Sequence, residues 1–253
     1  MKFEVLSSGS KGNTTFISTN ETKILIDCGN TCKYVCEKLK SININPNELD
    51  AIFITHTHKD HISGLKVFLH KYNIKVYLTE KMLSDLPYVE NYELINTDAI
   101  LIKDMKIEMI KTSHDAPDAR GYIINSNNKS IVYITDTGYI NNKYHSMLED
   151  KDVYIFESNH DVELLNNSSY PFALRKRILS DKGHLSNHDS SMYLSKFIGN
   201  NTKYILLAHL SEENNTPLLA YNTLIDKLKE TNKEVNNIII AKQNEETELI
   251  TIW

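Results

Sequence analysis

The junction between Ala51–Thr55 and His56–His61 constrains this chain more than any other stretch. "AIFIT" is apolar, β-branched and aromatic, the composition of a buried strand, and it runs directly into "HTHKDH". An imidazole or carboxylate left unpaired in a core costs on the order of several kcal/mol, or changes its protonation. The strand must therefore end at a rim, where its side chains are either solvated or bound.

Three further apolar strands end the same way: His114 in "TSHD", Asp136 in "ITDTG" and His209 in "LAHLS". One such residue is an ordinary loop residue, but four such ends argue against coincidence. If they meet, five imidazoles and two carboxylates converge, a donor set for two adjacent divalent ions (zinc or manganese, mixed, or iron). In an extended segment His56 and His58 project to the same side, so both can reach one ion. A turn at Lys59 sends Asp60 and His61 toward a second, and Asp136 can offer one oxygen to each.

The rest of the chain supplies a scaffold. "KFEVLSS", "TTFIST" and "KILIDCG" read as strands, followed by a helix over about 31–40. "SGLKVFLHKY" reads as a helix, and "KVYLTE", "AILI", "KIEMIKTSH", "GYIINS", "SIVYITDTG" and "VYIFESN" as strands. Helices "SSMYLSKFI" and "LLAYNTLIDKLKE" then flank the strand "KYILLAHLS", before the strands "NIIIAK" and "ELITIW". Strands followed by covering helices in each half imply an α+β fold, two sheets packed face to face with helices outside. No Pro/Gly/Ser-rich break divides the chain, so residues 1–253 are expected to form a single domain.

Composition excludes some roles. No apolar stretch approaches the roughly 20 residues that span a bilayer, and "MKFEVLSSGS" lacks the regions of a signal peptide. A cytoplasmic protein with no membrane partner is expected. The net charge of −5 rules out attraction to nucleic acid by the whole surface, so such a role needs a local patch. Arg175, Lys176 and Arg177, with Lys182 beyond, are the candidate patch, weighed against an ordinary solvated helix face. Tyr170 and Phe172 either stack a base or pack beneath that helix. Ser7–Asn13, "SSGSKGN", is either a plain hairpin turn or a loop bringing Ser10 and Asn13 to a phosphate; its spacing is not that of a nucleotide-binding loop. Cys32, Val35, Cys36 and Leu39 share a helical face, which makes core thiols a better reading than a metal cluster.

HxHxDH with a distant His, Asp and His resembles the signature of the metallo-β-lactamase superfamily. That resemblance implies a four-layer αββα sandwich of two mixed β-sheets, with the site at one edge. It assigns His56, His58 and His114 to a first metal and Asp60, His61 and His209 to a second, with Asp136 bridging. It also places Asp27, in "ILIDCG", beside the ligands as an orienting partner. Asp136 stands where antibiotic-hydrolysing members have cysteine, and His58 where the diiron flavoprotein branch has glutamate. The span from His114 to His209 is too short for the inserted domain of the RNA-processing nucleases.

"SSGSKGNTT", "ESNHDVELL", "YPFALRKRILSDKGHLSN" and "AHLSEENNTPLLAY" narrow the match to the bacterial WalJ (YycJ) family over nearly the whole chain. What that resemblance implies is 5′-to-3′ exonuclease action on DNA, without a nucleotide cofactor. The expected chemistry is in-line attack on phosphorus by a hydroxide bridging two metals. Asp60 would orient the nucleophile or shuttle its proton. His184, in "KGHLSN", would assist the leaving oxygen, unless it merely holds its loop. The competing reading is a small-molecule hydrolase acting on a thioester, a lactone or a small phosphodiester. His160 and His188 receive no role.

Overall fold

The computed structural model describes residues 1–253. Its fourteen strands form two seven-stranded sheets. The first contains β1 (Lys2–Ser7), β2 (Thr14–Ser18), β3 (Lys23–Ile26), β4 (Ala51–Phe53), β5 (Lys75–Leu78) and β6 (Tyr92–Leu94), with β14 (Ile250–Thr251) on the outer edge of β1. The second contains β7 (Ala99–Ile102), β8 (Met105–Lys111), β9 (Arg120–Ser126), β10 (Lys129–Ile134), β11 (Val153–Glu157), β12 (Tyr204–Ala208) and β13 (Asn237–Ile240), in that order. Both sheets are mixed. Strands β1 to β3 and β7 to β10 run antiparallel, whereas β3 to β6 and β10 to β13 run parallel.

The strands read as nearly continuous apolar runs because both faces are covered. In β3, Ile24 and Ile26 turn inward to a layer of 23 buried side chains shared by the sheets, where they meet Met105, Ile107, Tyr122 and Ile124. Leu25, between them, turns outward with Phe16 and Ile52 against helices Cys32–Ser41 and Leu65–Lys71, meeting Val35, Leu39 and Phe68. On the second sheet Val132, Tyr154 and Ile205 pack outward against Leu194, Phe197 and Leu224 of helices Asn187–Phe197 and Pro217–Glu230. Four layers result, as expected. No helix is long and apolar enough to cross a membrane.

Local chemistry sets the element ends. Thr31, Ser186 and Thr216 each accept a backbone N–H at the start of a long helix, and Pro217 occupies a position where a missing N–H costs nothing. "KILIDCG" and "SIVYITDTG" leave the sheet earlier than expected, at Ile26 and Ile134. Asp27 and Asp136 take left-handed backbone, with φ of 60° and 56°, and so cannot continue a strand. The short strand Tyr92–Leu94, with no buried residue, carries no apolar signal. The cysteines are free; Cys28 and Cys32 are buried in the outer layer, consistent with core thiols.

Candidate metal centre

All the ligand-type residues lie at the carboxyl ends of strands, and the parallel strands of each sheet point those ends to one edge. Sheet one delivers Asp27 from β3 and His56, His58, Asp60 and His61 from β4; sheet two delivers His114 from β8, Asp136 from β10 and His209 from β12. The groups meet across the seam. His61 Nε2 stands 3.1 Å from Asp136 Oδ2, and His209 Nε2 is 3.5 Å from Asp60 Oδ2. His58 Nδ1 lies 3.2 Å from His114 Nε2. Asp27, Asp136 and His209 all have positive φ, a conformation that costs about 1–3 kcal/mol in a non-glycine residue.

The other ring nitrogens are tied back, which aims the free ones. His61 Nδ1 donates to Asp27 Oδ2 at 2.7 Å, and the same carboxylate accepts from the Thr55 hydroxyl at 2.7 Å and the Thr55 N–H at 2.8 Å. His56 Nδ1 is 3.1 Å from the Thr55 hydroxyl, and His114 Nδ1 donates to the Gly183 carbonyl at 3.1 Å. Left over are three buried atoms with no partner: His56 Nε2, His209 Nε2 and Asp136 Oδ2. Buried polar atoms are ordinarily satisfied, so three orphans within one set of overlapping donor groups call for a ligand. Donors on one tetrahedral ion at ~2.0–2.1 Å lie about 3.3 Å apart, which matches the spacings above. The donors form four overlapping groups able to hold an ion: His56/His58/His114, His56/His61/Asp136, Asp60/His61/His209 and Asp136/Glu157/His184/His209.

Charge is distributed to match. Burial alone would push the His209 imidazole down, but Asp136, Asp60 and Glu157 outweigh it and hold it up at about 10. For His61, likewise, Asp27, Asp60 and Asp136 overcome burial and raise it well above the usual histidine range. His56 is pushed well below that range by burial and by the neighbouring His61.

Glu157 is the residue that strand-end reasoning passed over. It closes β11 and is fully buried. Its Oε1 accepts from His184 Nδ1 at 2.8 Å and His209 Nδ1 at 3.0 Å, and its Oε2 from the N–H groups of Thr137 and Leu185, both at 3.0 Å. One carboxylate thus fixes three loops of the site. Burial opposes its charge, yet His184 and His209 hold it ionised, down to about 2. The signal was present, since "VYIFE" also ends in a ligand-type residue. Asp115 was missed too: its Oδ1 lies 3.6 Å from His58 Nε2, and its Oδ2 pairs with Arg177.

A cleft of about 240 Å³ opens over the cluster, lined among others by Ser10, Asp60, His184, Tyr170 and Arg177. Two of the expected substrate contacts do not line it. Asn13 is buried and turns inward: it binds the Gly9 backbone, and its Nδ2 stands 3.1 Å from Asp60 Oδ2. Arg175 bonds the Asn166 carbonyl on the far side of its helix. Of the two unassigned histidines, His160 is buried with Nε2 unpartnered, and His188 is exposed.

Residues 22–204 match the family model described as the beta-lactamase superfamily domain. The chain is 40% identical over 238 residues to "Exodeoxyribonuclease WalJ" of Streptococcus pneumoniae, covering 90% of this chain and 88% of that one. It is 36% identical over 237 residues to "Exodeoxyribonuclease YycJ" of Bacillus anthracis, covering 91% and 90%. The chain belongs to the WalJ/YycJ family of the metallo-β-lactamase superfamily. It is therefore a hydrolase of that superfamily. Its fold is shared with the metallo-beta-lactamase fold protein YhfI of Bacillus subtilis, with a TM-score of 0.74 at 17% identity over 98% of this chain and 99% of that one.

Proposed function

We propose that this chain is a cytoplasmic, binuclear metal-dependent exonuclease that removes nucleotides from DNA in the 5′-to-3′ direction. The observation that carries the reading is the set of three orphaned buried donors where the two sheets meet, in a chain whose relatives are named exodeoxyribonucleases. The 5′-to-3′ direction is carried over from the family resemblance. His56, His58 and His114 would hold one divalent ion, Asp60, His61 and His209 another, with Asp136 between them; Asp27 fixes the His61 ring. When bound, such ions polarise the phosphoryl group and acidify water.

The chain's own residues supply the rest. Asp60 sits beside the cleft with one oxygen steadied by Asn13, placed to orient the attacking water. His184 presents its ring to the cleft while Nδ1 donates to Glu157; that contact fixes the ring, so that its other nitrogen can serve the departing sugar oxygen. Ser10 and Arg177 line the cleft where the scissile phosphate would lie. Arg177 is paired with Asp115, so a phosphate must compete for it.

The test is digestion of end-labelled single- and double-stranded DNA, with and without a 5′-phosphate, in added Mn²⁺ or Zn²⁺. Stepwise loss from the 5′ end, abolished in His58→Ala, is the expected result. Failure of fully metal-loaded protein to cut DNA or RNA would overturn the reading and turn attention to thioesters and small phosphodiesters.

A further inference from the structure

Helix Phe172–Ile178 separates two hollows. Leu174, Arg177 and Ile178 line the cleft over the ligand cluster. Phe172, Arg175, Lys176 and Leu179, from the other side of the same helix and its end, line a second hollow of about 460 Å³. No residue lines both, and only the thickness of one helix lies between them.

The second hollow is made of groups that folding does not explain. The Phe172 ring is 73% exposed and Leu179 45% exposed, side by side in a chain that buries most of its large apolar residues. Arg175 reaches only a backbone carbonyl, and its Nε is buried without a partner. The helix carries three cations and no acidic residue, although the chain as a whole has a charge of −5. An open ring beside uncompensated cations suits one kind of ligand. Bases of any sequence stack on an aromatic face, and the attached phosphates are taken up by Arg and Lys. An acidic peptide would use the cations and leave the ring idle.

We propose that this hollow is a subsite for single-stranded nucleic acid, holding a nucleotide further along the strand than the one in the cleft. The base stacks on Phe172, and Arg175 and Lys176 take its phosphate. The assignment rests on the nuclease reading and gives that reading a path: the strand crosses helix Phe172–Ile178, with Arg177 on the cleft side and Arg175 on the outer side. A duplex must open to follow it, so an unpaired end is the preferred substrate.

Binding and cutting are measured separately. Fluorescence anisotropy of a 5′-phosphorylated thymidine octamer, in EDTA, reports binding without cleavage. Hydrolysis of the octamer and of the p-nitrophenyl ester of thymidine 5′-phosphate, in Mn²⁺, compares a strand with a substrate confined to the cleft. Phe172→Ala and Lys176→Glu should each weaken octamer binding about tenfold and lower the ratio of octamer to ester hydrolysis, and Phe172→Trp should restore both. Variants that bind like the parent chain would overturn the subsite and leave the nuclease reading intact. So would a parent chain that does not bind the octamer, or an equal loss on octamer and ester. A parent chain that binds the octamer, loses that binding with Phe172→Ala, yet never cuts DNA would sustain the subsite and remove the nuclease reading.

Discussion

At the scale of single residues, Glu157 concentrates the most consequence in one side chain. It orients His184 and His209 together, so Glu157→Gln should lower kcat about a hundredfold while KM barely moves. Because Glu157 acts through both His184 and His209, the double variant Glu157→Gln/His184→Ala should fall below His184→Ala but lose less than the two single losses combined; fully additive losses in single-turnover kinetics would refute the coupling. The protonation of His61 and His209 leads to a second expectation. Both rings have raised proton affinity without a metal, so at neutral pH each holds a proton that an ion must expel. Metal affinity should therefore climb as pH rises, with about two protons released per loaded chain at pH 7. Calorimetry in buffers of different ionisation enthalpy counts those protons, and a count of zero would contradict the charge distribution described. The seven candidate ligand positions that the structure gathers at the seam stood out because they follow apolar runs with residues that a core rejects. Glu157 obeys the same rule but was read as the tail of a strand. Asn13 was misplaced because a polar loop residue gives no sign of which way it points.

At the scale of elements, strand centres were legible and strand ends were not. The apolar runs located the strands, but Asp27, Asp136 and His209 leave their sheets through left-handed backbone that residue type does not announce. The close approach of two loops is equally silent in sequence. A Cβ on Gly29 would stand 1.7 Å from the Asp60 carbonyl oxygen, so Gly29→Ala must push the Asp60 segment away. The expected outcome is loss of at least one equivalent of bound metal by atomic absorption, with far-ultraviolet circular dichroism preserved; full metal content would show that the loops yield at no cost. Strand β1 carries a different tension. Glu4 is buried with Oε2 unpartnered; burial and Glu246, against the pull of Lys38, raise its carboxyl from 4.5 to about 7. Below pH 4.5 both folded and unfolded chains hold the proton. Between 4.5 and 7 the unfolded chain ionises first, so stability falls across that window and stays lower above it. Glu4→Gln should match the parent in urea at pH 4.5 and exceed it by on the order of 2 kcal/mol at pH 8. Equal midpoints at both values would refute it.

At the scale of the whole molecule, the layered architecture was legible from the order of strands and covering helices, because both faces of each sheet demand apolar residues. The loop contacts that join the two halves at the centre were not, since they depend on distances between residues far apart in sequence. Candidate ligands drawn from both sheets mean that a bound ion would favour the folded chain over the unfolded one. Chelation should lower the calorimetric Tm by roughly 5–15 °C, taking an ion held a hundred- to a thousandfold above its Kd. An unchanged Tm would mean that the sheets hold together without help from the centre.

The seam between the sheets also bears on how the protein is made. Asp27, His61, Asp136 and His209 leave the ribosome in that order, and β12, which leads into His209, pairs with β11, made before it, and β13, made after it. A nascent chain that has made β1 to β6 carries only the residues that the first sheet brings to the cradle. His209 is the last of the candidate ligands to be made, so on the proposed reading the centre is completed only when most of the chain has been synthesised.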